Sequence, residues 1–365
     1  MVTRRRFIAG CAAAPVLSSL SFNPAFAAAP AGMLVMAMQL DNMTSLDPHE
    51  SFEATGGQIC GNLYQKLVQP DPQQADKIVG MLAQSWEANG DNTLFTFRLD
   101  PAAKFADGTP VTAEDAAFSI ERIVRLDKSP AFIINQFGFT KENVASKVTA
   151  KDAHTLEMAL GAPASESFLL YCLSATVGSI VSKKACLANQ QNGDLGNAWL
   201  KQHSAGSGAF TLRSWKASET VILELSPQYA GKSAIKRVIL KHIADPAAQS
   251  LMLQKGDVDV AYDLTTEQLK PLQSSSEVTL VKQPLSAIML MSCNTTHPLL
   301  QKPQVWQALK WAIDYDSIQK NILSLTYNVH QSFLPSGFPA ALDDTPFHRD
   351  VDKAKALLAE EIGRA

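Results

Sequence analysis

Residues 96–122, TFRLDPAAKFADGTPVTAEDAAFSIER, contain a strand, a turn and a helix in immediate succession. Apolar and polar residues alternate over Leu94–Leu99, as they do in a half-buried strand. Asp107-Gly108 favours a tight turn. Thr112 and Asp115 then have the spacing of a capping box, in which a threonine hydroxyl and an acidic side chain close the first turn of a helix. The stretch therefore predicts a β-strand followed by a helix that begins after Thr112.

Strand and helix patterns alternate through the rest of the chain, which favours a mixed α/β fold. The signals are clearest at Asp245, Pro246 and Gly256, which are an N-cap, a proline suited to the first helical position and a glycine suited to the helix end. Predicted strands cover residues 33–38, 221–225, 238–243, 257–261, 278–281 and 287–293. Predicted helices cover residues 54–67, 246–255, 303–313 and 351–361.

Composition excludes two broad classes of protein. The chain has 365 residues, 46% of them hydrophobic, and a formal net charge of -3. This balance excludes a disordered chain, and at roughly 150 residues per domain the length predicts two or three domains. Because 32 Lys and Arg stand against 35 Asp and Glu, the chain has no excess positive charge to neutralise phosphates. We therefore do not expect a nucleic-acid-binding protein.

The first 27 residues have the three parts of an export signal: arginines 4–6, an apolar run at 7–17, and Ala25-Phe26-Ala27 as a small-residue cleavage site. Residues 3–8, TRRRFI, resemble the twin-arginine signal, and a general secretory signal is the alternative. Cleavage at Cys11, as in a lipoprotein, would leave too short an apolar run. Removing residues 1–27 takes away three positive charges and changes the net charge from -3 to -6. We expect an exported, periplasmic protein.

Four cysteines follow the predicted signal: Cys60, Cys172, Cys186 and Cys293. Cys172 and Cys186 are the closest pair in the sequence, and an exported protein can form disulfides. Four cysteines allow three pairings, and separate buried thiols are an equal alternative.

Motifs of catalysis and of metal or cofactor binding are missing from the sequence. It has no Gly-rich nucleotide loop, no HExxH and no CxxC, and its seven histidines stand apart. Ser207 lies directly between Gly206 and Gly208, whereas the hydrolase nucleophile elbow has glycines two residues before and two after the serine. We expect a binding protein rather than an enzyme, with no metal or cofactor. An exported hydrolase that uses Ser207 is the alternative.

Six motifs, in the same order and spacing, resemble the extracellular solute-binding protein family 5, whose members bind dipeptides, oligopeptides or nickel for ABC importers. The resemblance extends along nearly the whole chain after the predicted signal. The motifs are Leu46-Asp47-Pro48-His49, LAQSW at 82–86, the stretch 96–122, GSGAF at 206–210, LQKGDVD at 253–259, and VWQALKWAID at 305–314.

This resemblance implies a periplasmic-binding-protein-like fold of two α/β lobes, with an extra subdomain in the first lobe. Residues 28–66 and 200–275 would form the first-lobe core, and residues 67–199 the inserted subdomain. Residues 276–365 would begin a second lobe. Relatives continue well beyond this point, so we expect the second lobe to be incomplete.

The resemblance also implies a function. The chain would be the monomeric, periplasmic substrate-binding component of an ABC importer that binds peptides between its lobes and delivers them to permease subunits in the inner membrane. The loop after Leu46-Asp47-Pro48-His49 reaches the ligand in peptide-binding relatives, which makes Ser51, Phe52, Glu53 and Ala54 the candidate ligand-binding residues. The alternative for this loop is an exposed loop without this role. The alternatives for the ligand are other solutes such as nickel complexes, opines or sugars, and the alternative for the chain as a whole is a truncated, binding-impaired relative.

Overall fold

The computed structural model describes residues 30–74, 77–282, 287–336, 338 and 340–361. The predicted export signal lies outside these residues. The strands are β1 (Met33–Met38), β2 (Val68–Pro70), β3 (Ile78–Gly80), β4 (Ala83–Ala88), β5 (Leu94–Leu99), β6 (Val148–Ala150), β7 (Thr155–Ala159), β8 (Phe210–Lys216), β9 (Thr220–Leu225), β10 (Arg237–His242) and β11 (Val260–Ala261).

The helices are α1 (Ala54–Leu63), α2 (Ala113–Leu126), α3 (Phe132–Asn135), α4 (Val144–Lys147), α5 (Glu166–Ser174), α6 (Lys183–Ala188), α7 (Asn197–Leu200), α8 (Pro246–Gln254), α9 (Thr266–Leu272), α10 (Pro303–Ala312), α11 (Tyr315–Asn321) and α12 (Val351–Glu361). Short 3₁₀ turns lie at Ser129–Ala131, Thr176–Gly178 and Pro298–Gln301. Within the described part of the chain, none of the helices has the length and apolarity needed to cross a bilayer.

A five-stranded sheet, in the order β11-β1-β10-β9-β8, joins the beginning of the described chain to residues 210–261. Strand β1 is parallel to both β10 and β11, while β9 and β8 continue the sheet antiparallel. Both faces of β1 are covered. Met38 packs in a core cluster with residues of α1, whereas Val35 and Ala37 pack with Val258 and the apolar side chains of α8. A parallel strand covered on both faces carries apolar residues almost continuously, as MLVMAM does.

A second and larger core cluster lies between Leu67 and Ile180. It packs against a two-stranded sheet, β2-β3, and a four-stranded sheet, β4-β5-β7-β6. Phe95 and Phe97 of β5 are fully buried in it, and α2 contributes Ile120 and Ile123. The sheets thus draw on different ranges of sequence, 33–38 with 210–261 for one and 68–159 for the others. The domain boundaries given above stay predictions.

Several local predictions are confirmed. Strands β1 and β5 have the predicted bounds. The hydroxyl of Thr112 accepts a hydrogen bond from the backbone N–H of Asp115, and the Asp115 carboxylate accepts one from the Thr112 N–H, which completes the capping box. Asp245 caps α8 by accepting from Ala248 N–H at 2.6 Å, and Gly256 has the positive φ of +74° expected at the helix end.

Other elements differ from the predictions. Helix α1 ends at Leu63, not at residue 67, because Tyr64 is extended and the Leu63 carbonyl accepts from the N–H of Gly208 at 3.0 Å. The predicted strand 257–261 is reduced to Val260–Ala261. The described residues of 278–281 and 287–293 form no strand. No described strand lies beside them, so their backbone groups lack the partners that a strand requires.

The cysteines after the predicted signal are free thiols in the structure. Cys60, Cys172 and Cys186 are buried and Cys293 is half-buried. The possible Cys172–Cys186 disulfide is therefore not formed.

Candidate functional site

The carboxyl ends of three parallel strands, β1, β10 and β11, lie side by side at one edge of the five-stranded sheet. We call this edge, with the loops that follow the three strands, the carboxyl edge. In open α/β sheets, ligands bind in the crevice outside the carboxyl ends of the strands. The carboxyl edge is therefore the candidate ligand-binding site.

Side chains from neighbouring loops fix the backbone at the carboxyl edge. His242 Nδ1 accepts from the N–H of Leu40 at 2.9 Å, and Asp263 accepts from the N–H of Gln39 at 2.6 Å. The buried Gln249 side chain donates to the carbonyl of Ile243 at 2.7 Å and accepts from the N–H of Asp263 at 3.1 Å. These bonds satisfy backbone groups that end the strands, so the loops have a defined starting conformation.

The loop after β1 is anchored by a fully buried ion pair between Asp47 and Arg122 of α2. The guanidinium donates from Nη1 to Oδ1 at 2.9 Å and from Nη2 to Oδ2 at 2.5 Å, in the bidentate geometry that makes such pairs strong. Burial acts to raise the pKa of the Asp47 carboxyl, but the hydrogen bonds and positive charge of Arg122 outweigh it and lower that pKa. Asp47 is therefore ionised at neutral pH, and its charge is paired.

His49 completes the buried cluster in its neutral form. Its Nδ1 accepts from Arg122 Nη1 at 2.8 Å, which leaves Nε2–H to donate to the carbonyl of Ser179 at 2.9 Å. Burial, together with the positive charge of Arg122, lowers the pKa of His49 from 6.5 to about 4. A protonated imidazole would place two positive charges next to each other in a fully buried site.

Asn197 and Glu50 extend the buried cluster toward the surface. The amide of Asn197 donates to Asp47 Oδ2 at 2.8 Å and to Glu50 Oε2 at 3.0 Å. Glu50 also pairs with Lys201 at 3.1 Å and with Lys128 at 3.7 Å. We call Asp47, His49, Arg122 and Asn197 the Asp47 network. It connects the loop after β1 to α2 and α7, which belong to the 67–200 part of the chain.

The predicted ligand-binding residues lie directly after this anchored segment and differ in exposure. Ser51 is buried, and its N–H donates to the carbonyl of Asp47 at 2.8 Å. Phe52 and Ala54 are exposed, and Glu53 is partly exposed. The structure thus leaves Phe52, Glu53 and Ala54 accessible to a ligand, whereas the Ser51 side chain supports the loop from inside. Ligand contact by these four residues stays a prediction.

Glu53 is held by several donors at the start of α1. Its carboxylate accepts from the Thr44 hydroxyl at 2.6 Å and from the N–H of Phe52 at 3.1 Å. Burial acts to raise the pKa of the Glu53 carboxyl, but these hydrogen bonds outweigh it and lower the pKa. The side chain is therefore a fixed negative charge at the carboxyl edge.

Sequence reasoning missed several residues of the site. Tyr262, which follows β11, is 44% exposed and bonds to Gln58 of α1. Arg122 is the last residue of the stretch 96–122, whose pattern does not by itself indicate a buried ion pair. A signal was present, because Arg122 lies three and four residues after Ser119 and Phe118, which places all three on one buried face of α2.

The segment around Ser207 has a packing role. A Cβ atom added to Gly206 would lie 2.1 Å from the carbonyl oxygen of Leu63, and one added to Gly208 would lie 2.3 Å from that of Asn62. Both positions therefore need glycine so that this segment can cross the end of α1 closely. The Ser207 hydroxyl is buried and without a hydrogen-bond partner in the structure. Because no base contacts it, the site does not support the hydrolase alternative.

Metal binding has no support in the described ranges. Among residues 30–74, 77–282, 287–336, 338 and 340–361, no group of three or more His, Cys, Asp or Glu side chains is arranged to hold an ion.

Comparison with known proteins identifies the class of fold and then the family. The structure matches solved periplasmic binding proteins over 90% of the chain. Residues 77–362 match the family described as bacterial extracellular solute-binding proteins, family 5 Middle. Since this match covers well over half of the chain, the protein belongs to that family. The predicted fold class and the predicted family are confirmed.

Individual relatives show what this chain resembles. It is 32% identical over 340 residues to the "Probable D,D-dipeptide-binding periplasmic protein DdpA" of Escherichia coli (strain K12), an alignment that covers 92% of this chain and 63% of that protein. The structure of MoaA from A. tumefaciens R10 in complex with mannopinic acid has a TM-score of 0.76 at 26% identity, covering 90% of this chain and 65% of MoaA.

The DppA protein from Helicobacter pylori in complex with the peptide STSA also has a TM-score of 0.76, at 25% identity, covering 90% of this chain and 66% of DppA. The chain thus spans just under two thirds of the length of these relatives.

Proposed function

We propose that this protein is the substrate-binding component of an ABC importer and that it binds short peptides at the carboxyl edge. The observation that carries the proposal is the loop of residues 50–54, which the buried Asp47 network holds at the position where ligands bind in open α/β sheets. The names of two relatives support peptides as the ligand class, since one is described as dipeptide-binding and another was solved with a bound peptide.

The Asp47 network gives the loop a fixed geometry before a ligand arrives. Asp47, His49 and Arg122 are all fully buried, so salt screens the interactions between them far less than it screens exposed pairs. A preorganised site loses less conformational entropy on binding, which increases affinity. In this account the ion pair does not touch the peptide; it orients the residues that do.

Binding leads to transport by selection of a closed state. A peptide that contacts both the carboxyl edge and the second lobe binds the closed form more tightly than the open one, and it shifts the population toward closure by that difference in affinity. The closed form would then dock on the permease subunits. No step in this mechanism requires catalysis.

We also propose that the protein works as a monomer in the periplasm, after export by the twin-arginine route and removal of residues 1–27. The support for export and cleavage is the arginine-rich start, the apolar run and the small-residue cleavage site of the sequence.

Isothermal titration calorimetry with four solutes tests the ligand class. The solutes are D-Ala-D-Ala, L-Ala-L-Ala, tri-L-alanine and mannopinic acid, and the last is included because MoaA was solved with it. We expect saturable binding of one molecule of at least one peptide per chain, and no saturable binding of mannopinic acid. A folded protein that binds none of the peptides, or that binds mannopinic acid more tightly than any of them, would contradict the proposal.

A further inference from the structure

Two phenylalanine rings from distant parts of the sequence meet on the surface next to the candidate site. Phe52 follows the Asp47-anchored loop, and Phe132 begins α3. Their ring centroids are 6.0 Å apart and their planes cross at 87°, which is the edge-to-face arrangement that aromatic rings prefer. Each side chain is nevertheless 59% exposed. Single exposed apolar side chains are common, but this pair forms a continuous aromatic surface.

Both rings stand on rigid supports. The N–H of Phe52 donates to the Glu53 carboxylate, and the adjacent Ser51 is tied by its N–H to Asp47. On the other side, Pro130 and Ala131 are buried directly before Phe132. The rings are thus exposed although their backbone is well anchored. Binding of a ligand over them would therefore cost little conformational entropy of the chain.

Two carboxylates in the same loop as Phe52, Glu50 and Glu53, already have partners. Glu53 accepts from Thr44 and from the Phe52 N–H, and Glu50 is bonded to Lys128, Lys201 and Asn197. The two rings, by contrast, leave more than half of each side chain exposed to solvent. An apolar portion of a ligand is therefore the chemistry that this surface can recognise.

We infer that Phe52 and Phe132 form a subsite for an aromatic or large aliphatic side chain of the bound peptide. The inference rests on the proposed peptide-binding function and adds a preference to it. Phe52 lies just before α1, in the loop that the proposed function assigns to peptide contact, so the pair adjoins the proposed site. Small peptides such as dialanine would bind without filling the subsite.

The test is calorimetry with four matched tripeptides: Ala-Ala-Ala, Phe-Ala-Ala, Ala-Phe-Ala and Ala-Ala-Phe. We expect at least one phenylalanine-containing peptide to bind about tenfold more tightly than tri-alanine, because an aromatic side chain would bury apolar area and gain ring contacts. Phe132→Ala and Phe52→Ala should each remove most of this preference, and Phe132→Ala should change the affinity for tri-alanine by less than about twofold.

Tyr229→Ala is the matched control. Tyr229 is 42% exposed and follows β9, which runs antiparallel to β10, so it lies at the opposite edge of the sheet. This variant should keep the full preference. Melting temperatures of all three variants establish that each is folded, and Phe132→Leu, which keeps an apolar side chain, should keep part of the preference if Phe132→Ala unfolds.

The outcomes separate the two proposals. Equal affinity for all four tripeptides, or a preference that survives in the folded Phe52 and Phe132 variants, would refute the aromatic subsite alone. Binding of a dialanine peptide but of no tripeptide would also refute the subsite alone, whereas binding of none of the dialanine peptides and tripeptides by the folded protein would refute the proposed function and the subsite with it.

Discussion

Replacement of Asp47 by alanine removes the acceptor at the centre of the buried network. Its carboxylate accepts from Arg122 twice, at 2.9 and 2.5 Å, from Asn197 at 2.8 Å and from the N–H of His49 at 3.0 Å. After the substitution the guanidinium keeps only the carbonyl of Leu195 and the ring of His49 as partners. Removing one partner of a buried ion pair costs about 3–5 kcal/mol, because the remaining charge is left uncompensated.

Guanidinium unfolding followed by circular dichroism measures this loss. We expect the free energy of unfolding of Asp47→Ala to fall by about 3–5 kcal/mol. The control is Glu219→Ala, which removes an exposed partner of Lys216 and should change the free energy by less than about 0.5 kcal/mol. The double variant Asp47→Ala/Arg122→Met should be more stable than the sum of the single losses predicts, since it leaves no unpaired charge.

A loss below about 1 kcal/mol in Asp47→Ala would refute this reasoning, because that is the value of an exposed ion pair. A double variant whose loss equals the sum of the single losses would show that Asp47 and Arg122 are not coupled.

Three further predictions concern other parts of the molecule. Because the pKa of His49 is about 4 in the folded protein and 6.5 is its ordinary value, the unfolded chain binds the proton first as pH falls. The free energy of unfolding should therefore decrease by about 3 kcal/mol between pH 6.5 and 4, and denaturant titrations at several pH values should show a smaller decrease in His49→Gln. Iodoacetamide should label Cys293 in the native protein, and it should label the three buried thiols, Cys60, Cys172 and Cys186, only after unfolding, as peptide mass mapping would show. Native labelling of all three would contradict the structure. Gly208→Ala should lower the free energy of unfolding by about 1–3 kcal/mol in thermal melts, whereas Gly90→Ala should have no effect because an added Cβ there meets nothing within 4 Å. Equal melting temperatures of the two variants would contradict the close packing of Gly208 against the end of α1.

Local patterns were sufficient to predict much of the secondary structure. The capping box at Thr112 and Asp115, the alternation in β5 and the cap, proline and glycine around α8 all act within a few residues, so the sequence contains the whole signal. The family resemblance supplied the fold class, which periodicity alone would have left at mixed α/β.

Contacts between distant residues could not be predicted in this way. Asp47 and Arg122 are 75 positions apart, and neither the hydrophobic pattern nor the spacing of motifs pairs them. Leu251 of α8 is apolar and yet 51% exposed, because Gln249 occupies the buried position and bonds to the ends of two strands. Residues 287–293 are apolar enough for a strand, yet Met289 and Met291 are about 60% exposed in the absence of a described partner strand. A strand needs a neighbouring strand for its backbone hydrogen bonds, and the hydropathy of a segment does not show whether such a strand is present.

Native mass spectrometry of the purified protein, incubated with an equimolar mixture of D-Ala-D-Ala, L-Ala-L-Ala and tri-L-alanine, tests the central claim most directly. The account predicts a mass increase equal to one peptide per chain that saturates as the mixture is concentrated. A folded protein that shows no saturable peptide adduct would contradict the claim that the carboxyl edge is a peptide-binding site.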